Sequence, residues 1–405
     1  MINVAILGFG VVGSGVAEVL TQNSRIIEDK LGQKVNIKYI LDLREFPDSP
    51  FGHLVVHDFN LIVNDPEVDI VAEMMGGSHP AYDFSKAALL AGKSVVTSNK
   101  EVVANFGAEL LEIAANNHVS YLFEASVGGG IPIIRPMCND LASNNVVSVN
   151  GILNGTTNYI LTRMMNEGAD FDSVLKEAQD KGYAERNPAA DVEGLDAARK
   201  IVILAALAYG MSISPDDIHV EGITSITSED VEIAQKLGYA VKLIGHAEIT
   251  DSGILAMVSP RFIPLSEPLA SISGVFNGIM LECDMVGKVM FYGPGAGKLP
   301  TASAVCADIV DIAAHGADGI KLPSFAVAQK ADIADFSASK CHRAFIFDNI
   351  EGADGNLGWV DKLIAIDKLL VIGGKIAVIT ADEVDEITCA KITAKLSGCK
   401  SYRIL

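Results

Sequence analysis

Three things are scarce in this chain, and each scarcity removes a class of function. Its six cysteines (Cys138, Cys283, Cys306, Cys341, Cys389 and Cys399) form no Cys-x-x-Cys pair and have no histidine at metal-site spacing. That excludes a zinc ribbon or a disulfide framework, and free thiols in a reducing cytoplasm are expected. Positive charge is short as well: 31 Lys and Arg stand against 51 Asp and Glu, a net charge of −20. Such a surface repels phosphate backbones and anionic lipids, so neither a nucleic acid nor a membrane is expected as partner. Long apolar runs are missing, since Ile201 to Met211 falls short of the roughly 18 residues a membrane span needs. The first residues enter a strand-like run (Ile2, Val4, Ile6, Leu7), so no secretory leader is expected.

What remains is ample material for packed cores: 405 residues, 49% of them hydrophobic and 20% charged. At about 100 to 200 residues per domain this gives two or three domains. Residues 1 to 133 alternate strand-like segments (Asn3 to Leu7, Val35 to Leu41, Asp69 to Glu73, Ser94 to Thr97, Ser120 to Glu124) with helical ones, including Tyr82 to Ala91 and Gly107 to Asn116. This is the pattern of an α/β fold with a parallel sheet. Residues 134 to 299 read as an α+β domain, helix-rich to Leu243 and then strand-like at 245–249, 254–262, 274–282 and 288–292. A helix from Ala302 to His315 follows Pro300. Residues 325 to 405 read as strand Ala344 to Phe347, helix Val360 to Val371, strand Lys375 to Thr380, helix Glu386 to Leu396 and strand Lys400 to Ile404. That βαβαβ order suggests a small ferredoxin-like or ACT-like module lacking an evident second hairpin strand.

The first strand runs directly into Gly8-Phe9-Gly10-Val11-Val12-Gly13, and an apolar helix follows. In that context the glycines are the dinucleotide fingerprint of a Rossmann-type domain. Gly8 permits the turn, Gly10 lets a pyrophosphate approach the backbone, and Gly13 allows close helix packing. Asp42, ending the second strand, is placed to bond an adenosine ribose, while Arg44 could meet a 2′-phosphate; NAD and NADP both stay open.

Further on, Asp196 and Lys200 stand at i and i+4 on a helix running to Tyr209, heading an apolar stripe of Ile203, Leu204 and Leu207. Burial would lower the lysine's pKa and Asp196 would oppose the drop, leaving a group suited to proton transfer beside a hydride acceptor. Glu185 and Asp191, just before this helix, could grip an ammonium group. By spacing alone an ordinary surface ion pair is the default reading.

Seven motifs in order carry a resemblance that covers about residues 1 to 320. They are Gly8 to Gly13, Gly76-Gly77 with Pro80, Ser98-Asn99-Lys100, Glu124 to Pro132, Asn154 to Tyr159, Gly182 to Lys200 and Gly293 to Ala304. Together they resemble homoserine dehydrogenases. The resemblance implies reversible NAD(P)H-dependent reduction of L-aspartate 4-semialdehyde to L-homoserine, a step toward threonine and methionine. It implies Lys200 and Lys100 as the catalytic lysines, Lys200 being the proton donor and acceptor. Glu185, Asp191, Asp196 and Thr156 would hold the substrate. The cofactor would meet Gly8, Phe9, Gly10, Val11, Val12, Gly13, Asp42, Arg44, Gly77, Ser98, Lys100, Gly182, Gly295 and Gly297. Backbone oxygens of Glu124, Val127, Gly129 and Ile131 would bind a monovalent cation, Na+, since carbonyls suit a hard ion. The family implies a homodimer built on the second domain's sheet, with a tetramer as the alternative.

Two departures stand out. Met74, Met75 and His79 are unexpected in the loop around Gly76-Gly77, and residues 325 to 405 show no clear ACT-type ligand motif. Two other readings compete: a cofactor-binding sensor that has lost catalysis, and an aspartate-semialdehyde dehydrogenase working through a thiohemiacetal. The first predicts decay of Lys100, Glu185, Asp196 and Lys200, all of which are present; the second needs an activated cysteine, for which Cys138 is the candidate.

Overall fold

The computed structural model describes residues 1–316, 322–349 and 358–405, and the chain divides into two compact units. The first comprises Met1–Val147, Val202–Asp216 and Leu281–Ala328; the second comprises Ser148–Ile201, Asp217–Met280 and Gln329–Leu405. The last residues of the stretch 300–320, expected to return to the first domain, lie outside the described residues.

In the first unit, strands β1 (Ile2–Leu7), β2 (Val35–Leu41), β3 (Val55–Val56), β4 (Ile70–Glu73), β5 (Ser94–Thr97) and β6 (Tyr121–Leu122) form a parallel sheet in the order β3-β2-β1-β4-β5-β6. β4 and β5 are wholly buried, which is why they read as continuous apolar runs rather than alternating ones. Helices α1 (Val11–Gln22), α2 (Ser24–Leu31), α3 (Asn60–Val63), α4 (Ala81–Leu90) and α5 (Lys100–Asn116) connect them. Strand order reverses at β1, so the crevice beyond the carboxyl ends of β1 and β4 is where an open α/β sheet takes its ligand. Two sequence expectations change. The last strand stops at Leu122 because Glu124–Ser126 turns into a 3-10 helix. α5 begins at Lys100 instead of Gly107, because Asn99 caps it by accepting from the backbone N–H groups of Glu101 and Val102.

Helix α11 (Lys298–His315) belongs to the same unit. Ala302, Val305, Ile309 and Ile312 join Val16, Ala17 and Leu20 of α1 and Val4, Ile6, Ile70 and Ala72 of the sheet in one core. It starts four residues before the expected Ala302, since Pro300 sits in the first turn, where a missing N–H costs nothing. A short parallel pair, β8 (Met211–Ser212) with β14 (Ala326–Val327), lies in this unit too.

The second unit opens with β7 (Val146–Ile152), which begins in the first unit, and continues through α6 (Gly155–Glu167), α7 (Phe171–Asp180), α8 (Ala189–Val192), α9 (Leu195–Tyr209) and α10 (Ser228–Leu237). The division of the chain falls inside α9 and again inside β12 (Phe276–Cys283), which precedes β13 (Gly287–Pro294). The long hairpin of β10 (Tyr239–Thr250) and β11 (Gly253–Pro264) pairs with β7 on one side, with β20 (Lys400–Ile404) on the other, and with the short β9 (His219–Val220). β10 overturns the expectation of helix up to Leu243. Nine successive residues from Tyr239 are buried, so neither a period of two nor a polar face marks the strand.

Beyond Gln329 the chain forms β16 (Arg343–Asp348), β17 (Ile366–Ile372), β18 (Lys375–Thr380), helix α12 (Glu386–Lys395) and β20, in the antiparallel order β20-β16-β18-β17. A small ladder of β15 (Lys340–Cys341) and β19 (Val384–Asp385) flanks it. The expected helix Val360 to Val371 is corrected: 366–372 is a strand, and it supplies the hairpin partner of β18 that the sequence reading missed. Gly373 and Gly374, both at positive φ (57° and 81°), make the two-residue turn. Phe345, Phe347, Ile376, Val378 and Ile392 give this segment its own core. Across its junction with β11, Arg261, Arg403 and Arg343 are direct cross-strand partners, and Glu386 of α12 bonds both Arg343 and Arg403.

Candidate active site

The glycine loop is built by close approach. At Gly8 (φ 87°) a Cβ would lie 3.0 Å from the Met74 carbonyl oxygen and from Met75 Cγ, and a Cβ on Gly13 would lie 2.0 Å from the Gly8 carbonyl oxygen. Around Gly10 there is open space within 4 Å, and Gly10 caps α1 without a side-chain hydrogen bond. The first N–H groups of α1 are thereby left to an anion. Asp42 secures the loop from β2 by accepting from the Phe9 N–H at 2.8 Å. Arg44 bonds the same carboxylate through two nitrogens at 3.0 Å, and this guanidinium holds the Asp42 carboxyl down at about 2. A cleft of about 530 Å³ opens here, lined by Gly8, Gly10, Asp42, Arg44 and His57 together with Met74, Met75 and Gly76. The methionines that depart from expectation thus form its wall, whereas His79 is exposed and bonded to Asp83.

In the second unit, Lys200 is only 7% exposed and Asp196 5%, which removes the reading of an ordinary surface pair. Lys200 Nζ donates to Asp196 Oδ2 at 2.8 Å and to the Leu153 carbonyl at 2.7 Å. Asn154 is the hub that the sequence did not assign. Its Nδ2 donates to Asp191 Oδ1 (2.7 Å) and Asp196 Oδ2 (2.9 Å), while its Oδ1 caps α6 by accepting from Thr157 N–H (2.9 Å). Lys200, Asp196, Asp191 and Asn154 therefore form one connected group. Thr156 ties the neighbouring loop by donating to the Tyr183 carbonyl at 2.6 Å. Glu185 and Gly182 are exposed on that loop.

Glu124 to Ile131 forms a buried loop in the first unit. The Glu124 carboxylate accepts from Ile133, Ile134 and Arg135 N–H at 2.7 to 2.8 Å, and its own N–H is held by Asp308 of α11. Burial and the Glu124 charge push the Asp308 carboxyl up to about 8, even with the Arg135 guanidinium 2.7 Å away. Gly129, at φ 56°, abuts Gly295, where a Cβ would come within 2.3 Å of the carbonyl oxygen. Among the described residues, no hydrogen bond outside the regular elements ends on the carbonyl oxygens of Glu124, Val127, Gly129 or Ile131. A hard monovalent cation fits such a donor set.

Comparison with known proteins identifies the family. The family model described as "Homoserine dehydrogenase, NAD binding domain" matches residues 8–124, and that described as "Homoserine dehydrogenase" matches 132–310. The chain belongs to the homoserine dehydrogenase family. A homoserine dehydrogenase of Lactococcus lactis is 43% identical over 329 residues, covering 80% of this chain and 77% of its own. One from Synechocystis is 38% identical over 404 residues, covering 94% and 93%. The crystal structure of a homoserine dehydrogenase from Thiobacillus denitrificans superposes with a TM-score of 0.91 at 34% identity, over 100% of this chain and 98% of that one. The chain is thus an oxidoreductase with an NAD(P)-binding Rossmann-type domain. Among the described residues no helix is long and apolar enough to cross a membrane.

Against a homoserine dehydrogenase, the thiohemiacetal alternative has no reactive group. Burial pushes the Cys138 thiol up to about 11, leaving almost no thiolate at neutral pH. Lys100 stands at the first turn of α5, beyond β5, beside Ser98 and the capping Asn99. Two features escaped the sequence reading: the Asn154 hub, visible only as an Asn preceding a helix, and the buried Glu73 that ends β4.

Proposed function

We propose that this homoserine dehydrogenase interconverts L-aspartate 4-semialdehyde and L-homoserine with NAD(P)H, in the cytoplasmic biosynthesis of threonine and methionine. The observation that carries the reading is the hydrogen-bonded group of Asp191 with the buried Lys200, Asp196 and Asn154. A bound nicotinamide would supply hydride chemistry to the aldehyde carbon in the reducing direction, and Lys200 Nζ would deliver a proton to the carbonyl oxygen as it gains charge. Asp196 and the Leu153 carbonyl keep the ammonium oriented. Asp191 and Glu185 hold the substrate ammonium, Thr156 fixes their loop, and Lys100 is the second lysine of the site. Gly8 to Gly13 would hold the pyrophosphate, Asp42 and Arg44 the adenosine ribose, and Gly77, Ser98, Gly182, Gly295 and Gly297 the rest of the cofactor.

A sodium ion held by the carbonyls of Glu124, Val127, Gly129 and Ile131 would rigidify the loop beside Gly295. Residues 1–133 serve the dinucleotide, 134–299 the substrate and a homodimer contact, and 325–405 act as an ACT-like regulatory module. The β20-β16-β18-β17 order is that of a ferredoxin-like βαββαβ sheet, which supports the last assignment. The test is oxidation of NADH or NADPH, followed at 340 nm, with L-aspartate 4-semialdehyde. Turnover with L-homoserine as product is expected; tight NAD(P)H binding without turnover by either cofactor would leave only a sensor.

A further inference from the structure

Glu73 is fully buried at the carboxyl end of β4, one residue before the wall of the cofactor cleft. Its two oxygens have different partners. Oε1 accepts from the Met75 N–H and Oε2 from the Thr97 hydroxyl, both at 2.6 Å. Thr97 in turn accepts from Asn99 N–H at 2.9 Å, and the Asn99 side chain donates to the Met75 carbonyl (3.2 Å) and the Gly77 carbonyl (2.8 Å). The same Asn99 caps α5 at Lys100. One carboxylate therefore closes a ring of hydrogen bonds through the cleft wall, the end of β5 and the start of α5.

We propose that Glu73 is a positioning residue for the cofactor cleft, and that its carboxylate form holds the 74–77 wall and the Asn99 cap in the binding arrangement while its protonated form releases them. The proposal rests on the cleft being the NAD(P) site. The chemistry of the partners supports it. A backbone N–H can only donate, so Oε1 must remain an acceptor. A proton on Oε2 has to be donated to Thr97 Oγ, and the Thr97 hydrogen then loses its acceptor.

Both forms are within reach near neutrality, because burial pushes the Glu73 carboxyl up to about 7 against the opposing hydrogen bonds from Thr97, Met75 and Asn99. No lysine, arginine or histidine among the described residues contributes to that balance. The titratable group that faces it is Tyr121 of β6, whose buried hydroxyl has no hydrogen-bond partner and is raised well above its ordinary range, so it stays neutral.

Glu73→Gln fixes the protonated pattern: its carbonyl can accept from Met75 and its amide can donate to Thr97. The experiment titrates wild type and Glu73→Gln with NADH and NADPH from pH 5.5 to 8.5, reading the fluorescence of the bound reduced cofactor, with kcat measured alongside. In wild type, Kd should rise about five- to tenfold as pH falls through about 7, the worth of a charge-assisted bond exchanged for a neutral one. In Glu73→Gln, Kd should stay at the low-pH value throughout. Thr97→Val, which deletes one donor to the carboxylate, should move the inflection to higher pH, and Thr97→Ser should restore it. A pH-independent Kd in wild type, or the same inflection in Glu73→Gln, overturns the proposal. Failure of wild type to bind either cofactor would instead overturn the cleft assignment. If Glu73→Gln does not fold, the Thr97 pair decides: an inflection unmoved in Thr97→Val overturns the proposal.

Discussion

Replacing Lys200 with Met separates what the ammonium does for chemistry from what it does for the fold. Met keeps the length and apolar stem of the side chain but cannot protonate the aldehyde oxygen. A positioned acid contributes about 10²- to 10⁴-fold, so kcat for aldehyde reduction should fall by that factor, about 3 to 5 kcal/mol of barrier. The same substitution leaves Asp196, 5% exposed, with Asn154 Nδ2 at 2.9 Å and without its cation. A buried carboxylate that loses its cation costs about 3 to 5 kcal/mol, less whatever its other partners recover. Adding Asp196→Asn removes that charge. The double variant should therefore regain about 2 kcal/mol of stability over Lys200→Met while recovering none of its activity. With the glycine loop and Asp42 proposed as the NAD(P)H contacts, cofactor affinity should not change in either. The assays are steady-state oxidation of NAD(P)H with L-aspartate 4-semialdehyde, urea unfolding, and fluorescence titration with the cofactor. A Lys200→Met enzyme that turns over within threefold of wild type would refute the proton-donor role. An equal stability loss in both variants would refute the account of the buried pair.

Three further outcomes follow from specific contacts. Gly13→Ala places a Cβ 2.0 Å from the Gly8 carbonyl oxygen, so the loop must open, and NADH and NADPH affinity should drop at least about tenfold in fluorescence titration; unchanged binding would show that the loop is not the pyrophosphate cradle. His246 is buried beside Asn150, and burial, with the Arg261 charge, depresses its pKa to about 4. Its neutral form is the one the fold favours, so its contribution is present above the unfolded value near 6.5 and is lost as pH falls toward 4. Wild type should lose about 3 kcal/mol more than His246→Gln between pH 7 and pH 4 in urea unfolding; parallel losses would refute this. Arg343→Met leaves Glu386 to Arg403 alone and should cost about 3 kcal/mol in the same assay, where a change under about 1 kcal/mol would mean that the arginine row contributes little to the junction.

The parallel sheet was legible because its strands are short, apolar and separated by helices, and because Gly8 to Gly13 announces the first turn of an NAD(P)-binding domain. Legibility failed where burial erased periodicity. β10 carries Lys242 and His246 on an interior face, so its polar residues do not mark solvent. Residues 360–371 space their apolar side chains as a helix would, and only the Gly-Gly that follows distinguishes a hairpin. That pair is a turn signal in its own right, since two successive positive φ angles suit few dipeptides besides Asn-Gly, Asp-Gly and Gly-Gly.

The site divides along a different line. Asp196 and Lys200 could be nominated from their i, i+4 spacing, but spacing is silent on whether such a pair is exposed or buried, and only burial sets the pair apart from a weak surface contact. Asn154 lies 42 residues before Asp196, and the Leu153 carbonyl 47 before Lys200; no local rule links them. The same holds for Glu73, which a reader could have noticed as an acid ending a strand of Ile70, Val71 and Ala72, but whose partner Thr97 is supplied by parallel pairing of β4 with β5. In each case a side chain is given its task by a backbone group or a strand neighbour far away in sequence. The residue types thus set which chemistry is available, and the register of the fold decides which of them is used.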